Sequence, residues 1–291
     1  MLQTYGMHDI EHLRTWIGKT EETRDVIEAA RVAELAATLD CDERLTPRSG
    51  ASLPLAWHWA FFRPAVRESE LGPDGHPRRG GFLPPIDLPR RMWAGGRLEL
   101  SRPLVVGEPA LRRSTILDVT AKEGRGGALV FVTVEHAIAG GDGSLALREE
   151  QDIVYRGASQ PGSSPAPKGS KPEQPPSWTI TIAPDPVMLF RYSAVTFNGH
   201  RIHYDRSYVT EVEGYPGLVV HGPLTATLLL EMLRRKEPES APARFAFRAQ
   251  RPLFDTAQLT VAGRRDHGTY ALWALDSDGL IAMEATATVT S

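Results

Sequence analysis

The stretch from Tyr192 to Asp205, YSAVTFNGHRIHYD, gathers an amide, two imidazoles, a hydroxyl and a carboxylate in one short segment. It is followed by VEGYPGLVVHG and then by Pro223 and the strongly apolar sequence LTATLLLEMLRRK. A helix that begins there leaves its first backbone N–H groups unpaired and carries about half a positive charge at that end. Gly222, with no side chain, lets a carbonyl oxygen come close to those donors, which is the layout of an oxyanion hole. Of the nine histidines, His203 is best placed to move protons opposite it near neutral pH. The chemistry this suggests is proton transfer beside a carbonyl whose oxygen gains charge. Other roles compete residue by residue. Asn198 suits a local turn equally well. Asp205 can fix the loop or orient an imidazole, and Tyr192 can be ordinary packing. His200 and His203 lack a third ligand at sensible spacing, which makes a poor metal site. There is no phosphate-cradling GxxxxGK[ST], no GxGxxG after a strand, no HExxH and no CxxC.

The elements that must hold these groups follow from hydrophobic patterning. Leu224, Ala226, Leu228, Leu229, Leu230, Met232 and Leu233 run nearly all the way round a helix with proline at its start and three cations at its end, so it must be wrapped on every side. Strands are expected at Arg244–Ala249, Ala257–Ala262 and Leu280–Val289, the last alternating cleanly between apolar and polar residues. The earlier half repeats this order. Helical signals over Ile10–Ile17 and Val26–Leu39 precede a short apolar segment, Leu55–Phe62, behind Pro54, and strands are expected at Val130–Val134 and Asp152–Tyr155. The run GASQPGSSPAPKGSKPEQPPS reads as a linker. The division is therefore 1–156, linker 157–177, and 178–291. Arg102-Pro103-Leu104 recurs as Arg251-Pro252-Leu253, which favours two copies of one α+β unit, with the Gly/Pro/Arg-rich span 64–93 as extra length in the first. Three residues alone do not separate duplication from two unrelated units.

Composition narrows the function. With 33 basic and 36 acidic residues the chain has no electropositive field for nucleic acid. Cys41 is the sole cysteine, so intrachain disulfides, thiolate zinc sites and iron–sulfur clusters are excluded, and a cytoplasmic setting is expected. No apolar run reaches the ~18 residues of a membrane span, and the first residues lack a secretory pattern.

At the chemistry-bearing residues the sequence resembles the MaoC-like, (R)-specific enoyl-CoA hydratases and hydroxyacyl-thioester dehydratases of the hot-dog fold. Their signature S-G-D-x-N-P-[LIV]-H, followed by an H-G that opens the central helix, is matched here by Thr196 to His203 and then His221 and Gly222. The family's aspartate is Asn198 here and its asparagine is His200. The wording FNGHRIHYD, the MLQTYG start and the RRMWAGG segment are similar to the double hot-dog itaconyl-CoA and mesaconyl-C4-CoA hydratases and related mitochondrial-type dehydratases.

The resemblance implies an α+β double hot-dog, each half a sheet wrapped around one long helix, after N-terminal helices. It implies reversible syn hydration of an α,β-unsaturated acyl-CoA, with itaconyl-CoA or mesaconyl-C4-CoA favoured. His203 would then be the base, Gly222 the backbone donor and Asn198 a holder of water or substrate, with no metal or redox cofactor. PRRMWAGGRLE, read as a loop, offers Arg90, Arg91 and Trp93 to a substrate carboxylate or CoA phosphate, and His200 and His221 join the binding set; a solvated loop with no ligand is the alternative. The first half has no counterpart of the histidine signature, so it is expected to be catalytically silent and to shape the acyl pocket. Trp57, His58 and Trp59 read as core. The fused chain already pairs two hot-dog units, which allows a monomer, while a homodimer is common in the fold. Two rival readings remain: a hot-dog thioesterase using Glu231, and a non-catalytic acyl-CoA binding module.

Overall fold

The structure, a computed structural model, describes residues 7–124, 127–157 and 169–289; 158–168 of the linker segment and the MLQTYG start lie outside the described residues. Ten antiparallel strands form one continuous sheet in the order β1-β3-β4-β5-β2-β7-β10-β9-β8-β6. The first five are β1 (Thr20–Val26), β2 (Arg90–Leu100), β3 (Pro109–Gly124), β4 (Gly127–Ala139) and β5 (Leu145–Arg156), and the second five are β6 (Trp178–Ile182), β7 (Pro242–Ala249), β8 (Leu259–Asp266), β9 (Thr269–Leu275) and β10 (Ile281–Val289). Within each half the order is the same: β1-β3-β4-β5-β2 is matched by β6-β8-β9-β10-β7. The halves join through β2 and β7, paired from Gly95↔Arg248 to Glu99↔Arg244.

The echo seen in the sequence has a structural counterpart. Leu53 N–H donates to the Leu104 carbonyl at 2.7 Å, and Val220 N–H to the Leu253 carbonyl at 2.8 Å. Isolated bridges Ser52↔Val105 and Val219↔Phe254 accompany them. The repeated tripeptide thus pins the strand-like segment that leads into each half's central element.

Those central elements differ. In the second half α4 (Gly222–Lys236) is buried at every position from Leu224 to Leu233. Strands β8, β9 and β10 pack on one side. On another, Val32, Leu35 and Leu39 share its apolar cluster; the first two lie on α2 (Ala29–Thr38) and Leu39 caps its end. Arg235 ties the helix end to the Leu39 and Asp40 carbonyls, each at 2.9 Å. The first half does not wrap a long helix. Its equivalent is one 3₁₀ turn, Trp57–Ala60. Ala56 and Phe62 on either side adopt positive φ, 71° and 54°, and Pro64 follows two residues later, so the chain is turned out of helical geometry at both ends. From there to β2 it runs as a long irregular segment.

The helix expected over Val26–Leu39 forms as α2, while Thr20–Val26 before it, for which no element was expected, pairs with β3 as a charged edge strand, a pattern that protects sheet edges and reads poorly as a strand. One further expectation is corrected. The segment RRMWAGGRLE, expected as a loop, is β2. Its glycines are a packing requirement of the seam: a Cβ on Gly95 would lie 2.6 Å from the Phe247 carbonyl oxygen, and one on Gly96 2.8 Å from that of Glu150. Gly95→Val is expected to lower the free energy of unfolding by about 1–3 kcal/mol, read from the urea midpoint; a midpoint equal to wild type would show that the seam accepts side chains.

Candidate active site

The segment read as chemistry-bearing is built by a helix stop, a turn and a 3₁₀ turn in succession. Asp185 caps α3 (Pro186–Thr196) by accepting the Met188 N–H at 2.8 Å. The helix ends because Phe197 takes a left-handed conformation, φ 54°. Asn198 then accepts the His200 N–H on Oδ1 at 3.0 Å, closing a local turn. Arg201–His203 forms the 3₁₀ turn. Asp205 accepts from Arg201 and from the Tyr208 N–H, so it fixes the loop and orients no imidazole.

His203 is 7 % exposed. Its Nδ1 lies 2.7 Å from the Val219 carbonyl. A carbonyl only accepts, so Nδ1 carries the proton and Nε2 is left with its lone pair. Burial pushes this imidazole down to about 4, against the opposing pull of the Val219 bond and with a further push from His76. It is neutral at physiological pH and able to accept a proton. The His221 ring stacks on it at 3.6 Å, and the next residue is Gly222, the first of α4, whose N–H lacks an intrahelical acceptor.

His203, Asn198, Gly222, His200, Arg91 and Trp93 all line one cavity of about 1340 Å³. Much of its wall comes from the first half, including His58, Trp59, Arg112 and Glu149. The space exists where the first half has only its single 3₁₀ turn. Glu149 is buried and charged: burial raises its pKa, but His58 at 2.9 Å, His136 and Gln151 outweigh that and bring it to about 2.

The family profile for hydroxyacyl-thioester dehydratase type 2 matches residues 56–255. The mesaconyl-C(4)-CoA hydratase of Chloroflexus aurantiacus is 47% identical over 274 residues, covering 93% of this chain and 95% of that protein. The chain belongs to the hydroxyacyl-thioester dehydratase type 2 family. Among solved structures, HtdX of Mycobacterium tuberculosis superposes with a TM-score of 0.65 at 20% identity, over 93% of this chain and all (100%) of that one. A second M. tuberculosis protein described as a double hot-dog fold gives 0.57 at 13% identity, covering 94% and 96%. The fold of this family member is a double hot-dog.

Several sequence-predicted residues lie elsewhere. Arg90 does not line the cavity; it is held by Glu213, through the backbone carbonyl at 2.7 Å and the carboxylate at 3.2 Å. His221 does not line it either. Its ring is fully buried behind His203, with Nε2 2.9 Å from Ser193 Oγ and Nδ1 without a partner among the described residues. Of the aromatic segment expected as core, Trp57 is core, His58 is buried and Trp59 packs against the core, and the last two also line the cavity. Glu231 sits nine residues along α4 from Gly222, about 13 Å at the helical rise, and both its oxygens are taken, by Trp57 at 2.9 Å and Arg234 at 2.6 Å.

Sequence reasoning missed Asp74 and His76. Donor atoms of Asp74, His76 and His200 lie within 4.8 Å of one another. They come together because residues 72–78 are fastened onto the motif: Arg201 N–H donates to the Asp74 carbonyl at 2.9 Å, and the Arg201 side chain to that of Pro73 at 2.9 Å. Nothing in the spacing of a glycine- and proline-rich stretch more than a hundred residues upstream signals this contact.

His76, His200, His203 and His221 all titrate below the ordinary 6.5, each chiefly through burial. Their folded-state values lie below the unfolded one, so the stability they permit is present above pH 6.5 and is lost as pH falls toward about 4. The melting temperature is expected to drop steeply over that interval in calorimetry at fixed ionic strength; a flat profile there would contradict neutral buried imidazoles.

Proposed function

We propose that this chain is a hydro-lyase that adds water reversibly across the double bond of an α,β-unsaturated acyl-CoA, with a small branched dicarboxylic acyl group such as that of mesaconyl-C4-CoA or itaconyl-CoA. One observation carries the reading: a neutral imidazole with a fixed tautomer, His203, stacked against the residue that precedes the unpaired Gly222 N–H at the wall of a large cavity. The relative at 47% identity, a mesaconyl-C(4)-CoA hydratase, supports the substrate class.

His203 Nε2 takes a proton from water as the water oxygen bonds to Cβ. The displaced electron pair moves through Cα onto the thioester carbonyl, and the enolate oxygen rests on the Gly222 N–H. The same proton then passes from His203 to Cα, so one base serves a syn addition and the atoms balance. A positioned base contributes ~10²–10⁴-fold and one such donor ~10²–10³-fold. Asn198 has its Oδ1 engaged by His200, which leaves the Nδ2 protons to hold water or substrate. Arg91, on the cavity wall, is the cation we assign to the free carboxylate. The catalytic assignment falls on the second half, 178–291, with the first, 1–156, lacking a histidine signature of its own.

His203→Ala is expected to lower kcat by about 10²–10⁴-fold while CoA affinity by calorimetry stays within threefold, with no free thiol released by either protein. Hydration unchanged in this variant would overturn the assignment. kcat/KM should fall on the acid side with a midpoint near 4 rather than near 6.5; a midpoint near 6.5 would mean that the base is exposed or is a different group. Glu231→Gln separates the thioesterase reading. Hydration should persist within about threefold, since Glu231 is committed to Trp57 and Arg234, whereas thiol release in wild type that is lost in Glu231→Gln would favour hydrolysis.

A further inference from the structure

A base and an oxyanion donor do not by themselves fix where the water sits. A water that gives one hydrogen to His203 is still free to swing about that bond, and its lone pair is aimed at Cβ only if its second hydrogen also has an acceptor. Asn198 is the weaker candidate, because one of the two lone pairs of its carbonyl oxygen already takes the His200 N–H at 3.0 Å and its Nδ2 only donates.

The first half brings a suitable group to this place. His76 lines the same cavity as His203, Asn198 and Gly222. Its Nδ1 lies 3.0 Å from Asp74 Oδ2, and its backbone N–H donates to the other oxygen of the same carboxylate at 3.1 Å. A carboxylate facing Nδ1 holds the proton there and leaves Nε2 with its lone pair, and no partner for that nitrogen is present among the described residues. The Asp74 carboxylate is charged. Burial works against it, but the bond to His76 and its proximity prevail and hold it well below the usual range.

The placement is built into the backbone. Gly72 N–H donates to the His76 carbonyl at 2.7 Å and Gly75 N–H to that of Gly72 at 3.0 Å, while Arg201 N–H reaches the Asp74 carbonyl at 2.9 Å. Gly75, at φ +86°, approaches Gly199 so closely that a Cβ would fall 1.9 Å from the Gly199 carbonyl oxygen. The His76 ring lies against His200, tilted by 40° with centroids 4.0 Å apart, and His200 stands edge-on to His203 at 5.4 Å. His200 touches both rings, and its own ring nitrogens have no hydrogen-bond partner among the described residues.

We propose that His76 is the second acceptor for the attacking water, with Asp74 as the positioning residue that fixes its tautomer, so that the half without the histidine signature completes the site. This rests on the hydratase reading of His203. The water donates one hydrogen to His203 Nε2 and the other to His76 Nε2. The first proton is transferred as the C–O bond forms and is delivered to Cα, and the second stays on oxygen as the product hydroxyl. No further reactant is needed. A pair of fixed imidazole lone pairs here takes the place of the imidazole and carboxylate of the family signature.

The experiment uses the full chain and one enoyl-CoA that wild type hydrates. His76→Phe keeps a ring against His200 and removes the acceptor; kcat is expected to fall by about 10²-fold with KM within threefold. Asp74→Asn lets the side-chain amide donate to Nδ1 and so turns the tautomer over. It should cost a comparable factor in kcat, and ring ¹⁵N spectra should show the His76 proton moving from Nδ1 to Nε2, a readout that a merely structural role would not move. Wild-type kcat in His76→Phe would overturn the inference while leaving His203 in place, provided His203→Ala is inactive on the same substrate. A wild type that hydrates nothing would instead sink the parent reading. Loss in His200→Phe with His76→Phe fully active would transfer the role to His200, and activity abolished by a chelator and restored by a divalent metal would assign Asp74, His76 and His200 to metal binding; either result refutes the proposal.

Discussion

The 2.7 Å hydrogen bond from His203 Nδ1 to the Val219 carbonyl decides which nitrogen of the ring is basic and where it stands. That carbonyl is itself fixed. Val219 bridges to Phe254, and Val220 is held by Leu253, a residue of the tripeptide that recurs in the first half. The same short segment runs on into His221 and Gly222, so one strand-like strap sets both the base and the helix start that faces it. Because α4 is buried over ten successive positions, the helix start cannot drift without moving the apolar core.

Collecting four neutral imidazoles in one place takes a setting shielded from bulk water. Burial is the leading cause of every depressed value in the cluster, and among the described residues only His76 of the four rings faces a carboxylate, that of Asp74. His221 shows the cost: one of its nitrogens is buried with no partner among the described residues, a penalty of roughly 1–3 kcal/mol for a polar group. The ring behind His203 is nonetheless useful as a flat apolar surface that keeps the base from turning.

How legible this was in the sequence depended on the range of the interaction. α4 could be read from apolar residues that run nearly all the way round it, and β10 from strict alternation, because each pattern is local. The motif from Asn198 to His203 was visible for the same reason. What escaped was set by distant partners. β2 is a strand because β5 and β7 pair with it on either side, while its arginines and glycines in isolation look like a loop. Thr20–Val26 has the charge of a helix surface and is an edge strand. Asp74 and His76 reach the site through contacts with Gly199 and Arg201, across a chain separation that no periodicity spans.

The two halves share a strand order yet treat their concave faces in opposite ways. The second fills its own with ten buried positions of a helix, and the first, interrupted at Ala56 and Phe62, leaves most of that volume open. Such a division of labour ties specificity to solidity in different parts of one molecule. Residues that line the open palm, such as Arg112, can change to suit a new guest without loosening the packed half on which the reacting atoms depend.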